Sequence, residues 1–509
     1  MANETETYTK LLARLKQVND IQGSAGLLGW DQRTFMPAMG AGTRSERLAT
    51  LGGLAHSIFT DDETGALINA LSGFETSLPH ESDEASMVRH VRKTYRKAKA
   101  IPTDLASDMS RAEILGYSAW IEAKQDGDFS KFLPSLERIV ELRRQQIELV
   151  RASFPDIEDD YDVLLDYFEP DLKASEIDVV FDRLKEATIP LVGIVNERSE
   201  LVHDHLVHGH FPIDQQKQLI HYVIEQLGFE SLSWRLDETM HPFASPMGIR
   251  DIRITNHYYE DFFNPALFGT MHEFGHGLYE RNVSESLDRT PLARGASMSW
   301  HESQSRMWEN LVGRSRPFWD WATPQAHRFL PDAFEGVGPD DIYRAVNKFE
   351  PSLIRIEADE LTYNLHIILR YELERDIFAG RVTLADLPEA WNEKFRTYFG
   401  LEVPNNSVGV LQDVHWGSGL FGYFPTYALG NVVALQLWSR VTTEISNIEE
   451  LISQGEFAPL REWLRSEIHQ YGSKFTPKEL LVKVLNVDTF DPEPLIAYLQ
   501  AKVGSLYGV

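Results

Sequence analysis

Along most of the chain, apolar residues return every third or fourth position, the spacing that gathers them on one face of a helix. Near the start, Tyr8, Leu11, Leu12, Leu15, Val18 and Ile21 form such a stripe. The stretch from Trp30 to Pro37 breaks it and leads into Gly40-Ala41-Gly42, after which the helical period resumes over residues 43–57. Further amphipathic helices are predicted over 86–100, 105–125, 134–152, 174–201 and 215–227. The last has Pro212-Ile213-Asp214 as its start and Gly228 as its stop. Residues 352–378 read as one long helix ending at Gly380, with Arg355 and Asp359 on one side and Asp359 placed to orient Arg355. From about residue 429 onward the chain is again helical. Thr476-Pro477-Lys478-Glu479 is a capping box there, and Asp491-Pro492-Glu493 opens the final helix. Only residues 233–259 read as strand, with Ile249, Ile252 and Ile254 loosely alternating and Pro246-Met247-Gly248 as a turn. This predicts a short antiparallel hairpin whose edge suits an extended peptide. The pattern as a whole predicts a mainly α protein without internal repeats.

Directly after the strand region, His272-Glu273-Phe274-Gly275-His276 reads H-E-x-x-H within a predicted helix over 266–281, opened by Asn264-Pro265. Helical positions i and i+4 lie one turn apart on one face, so both imidazoles can close on one Zn²⁺. Glu273 is then placed to take a proton from water beside the metal. A catalytic zinc takes a third protein ligand and leaves a fourth position open. Glu302, in Ser299-Trp300-His301-Glu302-Ser303-Gln304 of a second predicted helix over 296–312, supplies it.

Composition narrows the partners. The 509 residues carry 77 acidic against 49 basic side chains, a formal charge of -28. That balance repels nucleic acid and anionic membrane, so neither is expected as a partner. No apolar run approaches the roughly 20 residues needed to cross a bilayer. The N-terminus is polar and acidic, without a signal-peptide core. The absence of Cys excludes disulfides and thiol catalysis and fits a reducing compartment. Two local clusters read as bland. Arg89, Arg92, Lys93, Arg96, Lys97 and Lys99 are expected on a solvated helix face, and His203, His205, His208 and His210 in a loop without a carboxylate set.

Motifs beyond H-E-x-x-H add a resemblance. His241-Pro242-Phe243, Asp251-Ile252-Arg253-Ile254-Thr255 and His301-Glu302-Ser303-Gln304 come first. Ile354-Arg355-Ile356-Glu357-Ala358-Asp359 and Gly409-Val410-Leu411-Gln412-Asp413-Val414-His415-Trp416 follow. In this order they resemble the carboxypeptidase Taq family of zinc metallocarboxypeptidases, from about Trp30 to Tyr427. The resemblance implies a neurolysin-like helical fold, related to that of the angiotensin-converting peptidases. In that fold two helical halves flank a deep groove with a small antiparallel β-sheet on one wall. It implies one catalytic domain over 1–509 with a helical lid region over about 1–100. It further implies broad-specificity release of single residues from peptides with a free C-terminus, Zn²⁺ replaceable by Co²⁺, a cytoplasmic location and a homodimer.

With the family in view, His272, His276 and Glu302 are assigned as metal ligands and Glu273 as general base. Oxyanion donors are expected among His415, Tyr423 and Tyr427, in a segment whose Gly residues permit close approach. Arg253 and Arg355 are expected to bind the terminal carboxylate through their planar forks, with Asp251 and Asp359 orienting them. Which Arg and which Tyr act is left open. His301 is expected beside the ligands, holding Glu302 or closing the pocket. The alternatives are an oligoendopeptidase of the same fold and a catalytically inactive peptide-binding relative.

Overall fold

The N-terminal stripe forms a helix that runs past its expected end. In the computed structural model, which describes residues 2–509, α1 spans Ala2–Thr34. Trp30 continues the buried face of α1 instead of breaking it. Leu11 and Leu15 pack with Met87, Val88 and Val91 and with Ile249, Leu287 and Leu292. Truncating a fully buried Leu such as Leu15 to Ala costs about 2–5 kcal/mol. Then come α2 (Ala41–Thr60), α3 (Asp83–Ala100), α4 (Thr103–Asp126), α5 (Leu133–Ser153), α6 (Ala174–Glu197) and α7 (Ile213–Leu227). All lie close to the predicted positions. α7 stops at Gly228, whose φ of 115° favours a residue without a side chain.

Three strands follow: β1 (Trp234–Glu238), β2 (Ala244–Gly248) and β3 (Asp251–Asn256), in the order β1-β3-β2. The expected hairpin is β2–β3, antiparallel, with Ser245 opposite Arg253. The sheet is nevertheless mixed, because β1 pairs with β3 in parallel, Arg235 opposite Arg253. The chain reverses once between β1 and β2 and again between β2 and β3, so the first and third strands point the same way. Pro246 is tolerated because β2 is an edge strand.

α8 (Asn264–Arg281) carries the H-E-x-x-H motif. Asn264 is its first residue, not a cap, and no side chain caps this helix. α9 (Met298–Arg306) does not run on as one α-helix to residue 312; Met307–Gly313 widens into π-helix. α10 (Tyr363–Phe378) is much shorter than the predicted helix over 352–378. Arg355–Glu357 forms a separate 3₁₀ turn. Asp359 is occupied with N–H groups of Glu350 and Thr362, at 2.7 and 2.8 Å, and so shapes that turn without orienting Arg355. α11 (Pro425–Glu444), α12 (Pro477–Leu485) and α13 (Glu493–Tyr507) close the chain. The capping box at Thr476 forms as predicted, and Asp491 accepts the N–H of Glu493 at 3.0 Å.

The chain divides into two compact units. The first comprises Met1–Ala98, Asp204–Val346 and Leu437–Asp488, and holds the sheet, α8 and α9. The second comprises Lys99–His203, Asn347–Gln436 and Thr489–Val509, and holds α10 and residues 409–427. Among the described residues no helix is long and apolar enough to cross a membrane.

Candidate active site

Two glycines let the motif helix sit close to its neighbours. A Cβ on Gly275 would lie 2.5 Å from the Gln304 carbonyl oxygen on α9, and one on Gly277 would lie 2.4 Å from the Trp234 ring on β1. With α8 and α9 in near backbone contact, His272, His276 and Glu302 converge. Their Nε2 atoms are 3.2 Å apart, and Glu302 Oε2 lies 3.6 Å from that of His272 and 3.4 Å from that of His276. Ligands about 2.0–2.1 Å from a tetrahedral metal are separated by about 3.3 Å, so the three donors fit one such ion. Among the described residues these three are the group of metal-ligating side chains found together. The His203–His210 segment is a loop with a short 3₁₀ turn over His205–Val207, as expected.

Each of the three donors is held from behind. Glu309, in the π-helical turn, sits 2.8 Å from His272 Nδ1. The Arg306 Nε donates to Glu302 Oε1 at 2.7 Å, and its Nη1 to Glu309 at 3.2 Å. Glu302, Arg306 and Glu309 share a helix face at i, i+4 and i+7. His301 holds His276, at 2.6 Å between their Nδ1 atoms, and not Glu302. Its other nitrogen faces Glu280 at 2.8 Å. Trp300 is fully buried and ties α9 to α12 through the Pro477 carbonyl at 3.1 Å. His469 reaches Gln304 at 2.8 Å. Ser303 Oγ donates to the Trp300 carbonyl at 2.7 Å, so every residue of the His301–Gln304 motif has a structural duty.

The electrostatics suit a cation. Burial opposes charging Glu302, but Arg306 and the two histidines hold its carboxyl well below the usual range. Burial opposes protonation of His272, yet Glu302 and Glu309 raise it to about 9. The cluster therefore favours a cation, and a metal bound there would displace the proton that His272 otherwise holds. Glu273 is buried, and burial pushes its carboxyl up to about 7 against the charge of His272. That value suits a group that accepts and returns a proton near neutrality.

Arg253 lies in the same unit, on β3. Asp251 grips it through two hydrogen bonds of 2.9 Å, as expected, and its guanidinium lies 4.6 Å from the Trp30 ring centroid.

The other expected residues lie in the second unit and gather around Asp413. Arg355 Nη2 and Nε donate to Asp413 Oδ1 at 2.7 and 3.0 Å. Arg370 Nε donates to Oδ2 at 2.7 Å. Asp413, not Asp359, therefore orients Arg355. Gln412 accepts the Arg355 backbone N–H at 2.9 Å. His415 Nε2 is 3.3 Å from the Tyr427 hydroxyl, and the Tyr423 and Tyr427 rings are 5.2 Å apart. Burial lowers His415 to about 4, with Arg355 and Arg370 adding to the effect and Asp413 opposing it, so its imidazole is neutral at pH 7. Glu374 anchors this segment from within the core, accepting from Trp416 Nε1 at 2.8 Å, Gly422 N at 2.9 Å and the Tyr161 hydroxyl at 2.6 Å.

Sequence reasoning assigned no part to Glu280, Arg306, Glu309, Arg370, Glu374 or Asp413. Spacing alone could have found Arg306 and Glu309, at i+4 and i+7 from Glu302. The partners of Asp413 and Glu374 are too distant in the chain for any periodicity to show.

Taken together, paired helices bearing a two-histidine, one-glutamate donor set, with a carboxyl beside the first histidine, define a metallopeptidase. The sequence profile of the carboxypeptidase Taq (M32) metallopeptidase family matches residues 10–503. Thermostable carboxypeptidase 1 of Thermus thermophilus is 40% identical over 506 residues, 98% of this chain and 99% of that protein. Carboxypeptidase 1 of Bacillus subtilis is 38% identical over 99% of each. The crystal structure of M32 carboxypeptidase from Deinococcus radiodurans R1 superposes with a TM-score of 0.95 at 36% identity, covering 99% of this chain and 100% of that one. The chain belongs to the carboxypeptidase Taq family, with the mainly helical fold of that family, and is a metal-dependent peptide hydrolase of carboxypeptidase type.

Proposed function

We propose that the protein releases single residues from the C-termini of peptides, with broad side-chain tolerance. The whole chain acts as one catalytic domain and uses Zn²⁺, for which Co²⁺ can substitute. The observation that carries the reading is the convergence of the His272, His276 and Glu302 donor atoms within 3.2–3.6 Å of one another. Two imidazoles and one carboxylate are a donor set that suits zinc. When bound, the ion supplies Lewis acidity, bringing the pKa of water toward about 7 and polarising the scissile carbonyl.

The chain's own residues do the rest. Glu273 accepts the proton of the attacking water on its carboxylate and delivers it to the departing amine nitrogen. His415, Tyr423 and Tyr427 are the candidate donors to the developing oxyanion. Arg355 and Arg253 are the candidates for the terminal carboxylate. The setting of Arg355 favours it, since one carboxylate, Asp413, faces two guanidiniums and leaves positive charge over for an anion. The dimeric state and cytoplasmic location implied by the family resemblance belong to this proposal.

The discriminating experiment compares one peptide as free acid and as C-terminal amide. Loss of cleavage on amidation is the expected result. Equal cleavage of the two would favour an internal-cutting oligoendopeptidase and remove the carboxylate anchor.

A further inference from the structure

The two histidine ligands are supported differently. His272 meets a carboxylate directly, with its Nδ1 2.8 Å from Glu309. His276 meets another imidazole, His301, with the two Nδ1 atoms 2.6 Å apart and the rings tilted at 38°. Two nitrogens at that distance share one proton, and which ring owns it decides what His276 can do. If His276 carries it, His276 Nε2 is a bare lone pair that can bind a metal. If His301 carries it, neutral His276 holds its own proton on Nε2, where the ligand lone pair is needed.

Glu280 breaks this tie. It lies one turn beyond His276 on α8, is 6% exposed, and its Oε1 is 2.8 Å from His301 Nε2. A carboxylate accepts and does not donate, so it requires the His301 proton on Nε2. In the neutral ring that leaves His301 Nδ1 as an acceptor and puts the shared proton on His276 Nδ1. The same oxygen also takes the Gly295 N–H at 3.3 Å, which holds it in place. The alternative arrangement would set the Glu280 oxygen against a lone pair on His301.

We propose that Glu280 is a positioning residue that fixes, through His301, the tautomer in which His276 can bind metal. This rests on the metal reading of His272, His276 and Glu302. An uncharged amide at position 280 can donate as well as accept, so Glu280→Gln permits both tautomers, while Glu280→Asp keeps the acceptor-only character.

The test measures metal affinity by chelator competition, and the exchangeable imidazole N–H signals of the Co²⁺-loaded protein by NMR. In the native protein two shifted N–H signals are expected, one for each ligand histidine. Glu280→Gln is expected to weaken metal binding by about ten- to a hundredfold and to move or lose one signal, the other staying put. Glu280→Asp is expected to recover most of the affinity. A purely structural Glu280 would lower the melting temperature and leave both signals unchanged; that result, with unaltered affinity, overturns the proposal. Should Glu280→Gln fail to fold, ¹⁵N shifts of His301 in the native Zn²⁺-loaded protein decide. A proton on Nε2 supports the proposal and one on Nδ1 overturns it. Failure of the native protein to bind one metal per chain would instead overturn the underlying metal reading.

Discussion

The cluster on α8 and α9 and the cluster around Asp413 both bury charge, with opposite surpluses. Glu273, Glu280, Glu302 and Glu309 stand against Arg306 and Arg314, so carboxyls outnumber guanidiniums, and the proton on His272 makes up part of the balance. Around Asp413 the ratio reverses, with Arg355 and Arg370 sharing one carboxylate. Buried charge is costly unless compensated, so the first cluster calls for a cation and the second for an anion. On the proposed function these would be the metal and the substrate's free carboxylate.

The contrast can be broken at either end. The largest expected effect is chemical. Glu273→Gln should keep its metal and lose about 10²–10⁴-fold in kcat, as removal of a general base does. Retained metal with native turnover would take Glu273 out of the reaction. Next comes Asp413→Asn, which leaves two buried guanidiniums without their counter-ion. It should lower unfolding stability by about 3–5 kcal/mol, read from denaturant titration, since removing one partner of a buried ion pair carries that cost. A loss below about 1 kcal/mol would mean the guanidiniums are compensated elsewhere. Arg355→Ala should raise KM for free-acid peptides by about ten- to a hundredfold, the worth of one or two charge-assisted hydrogen bonds. A proportionate rise for the amidated peptide would show that Arg355 does not read the carboxylate.

The smallest effect sharpens the comparison through pH. Burial pushes Glu374 up to about 7, against an unfolded value near 4.3. A carboxyl raised on folding stabilises fully below its unfolded pKa, and that contribution is lost as pH rises through the folded value. The stability deficit of Glu374→Gln relative to the native protein should therefore shrink between pH 5 and pH 8, by about 1–3 kcal/mol. A deficit that stays constant over that range would show Glu374 to be ionised throughout, held so by its three donors.

How far each cluster could be read from sequence follows from contact distance along the chain. His272 and His276 are four residues apart, and helix geometry alone pairs them. Glu302 needed only a second helix of plausible length. The Asp413 cluster joins residues 43 and 58 positions apart, and nothing periodic connects them. Predicting a helix through Arg355 even suggested the wrong partner, Asp359. The apolar pattern over 352–378 is real, but Asp359 caps a turn with its carboxylate and α10 starts only at Tyr363. The mixed sheet was missed for a similar reason: alternation marks strands and says nothing of which pair, or in which direction. Long amphipathic helices were the most legible part, because one buried face recurs along each of them.

Metal dependence tests the central claim most directly. The protein is stripped by exhaustive dialysis against a chelator, and hydrolysis of a free-acid peptide is followed as Zn²⁺ is added back. Hydrolysis should vanish on stripping and return in full at one equivalent of metal per chain, and it should not return in a His276→Ala variant. Undiminished hydrolysis by protein shown to be metal-free would contradict the account.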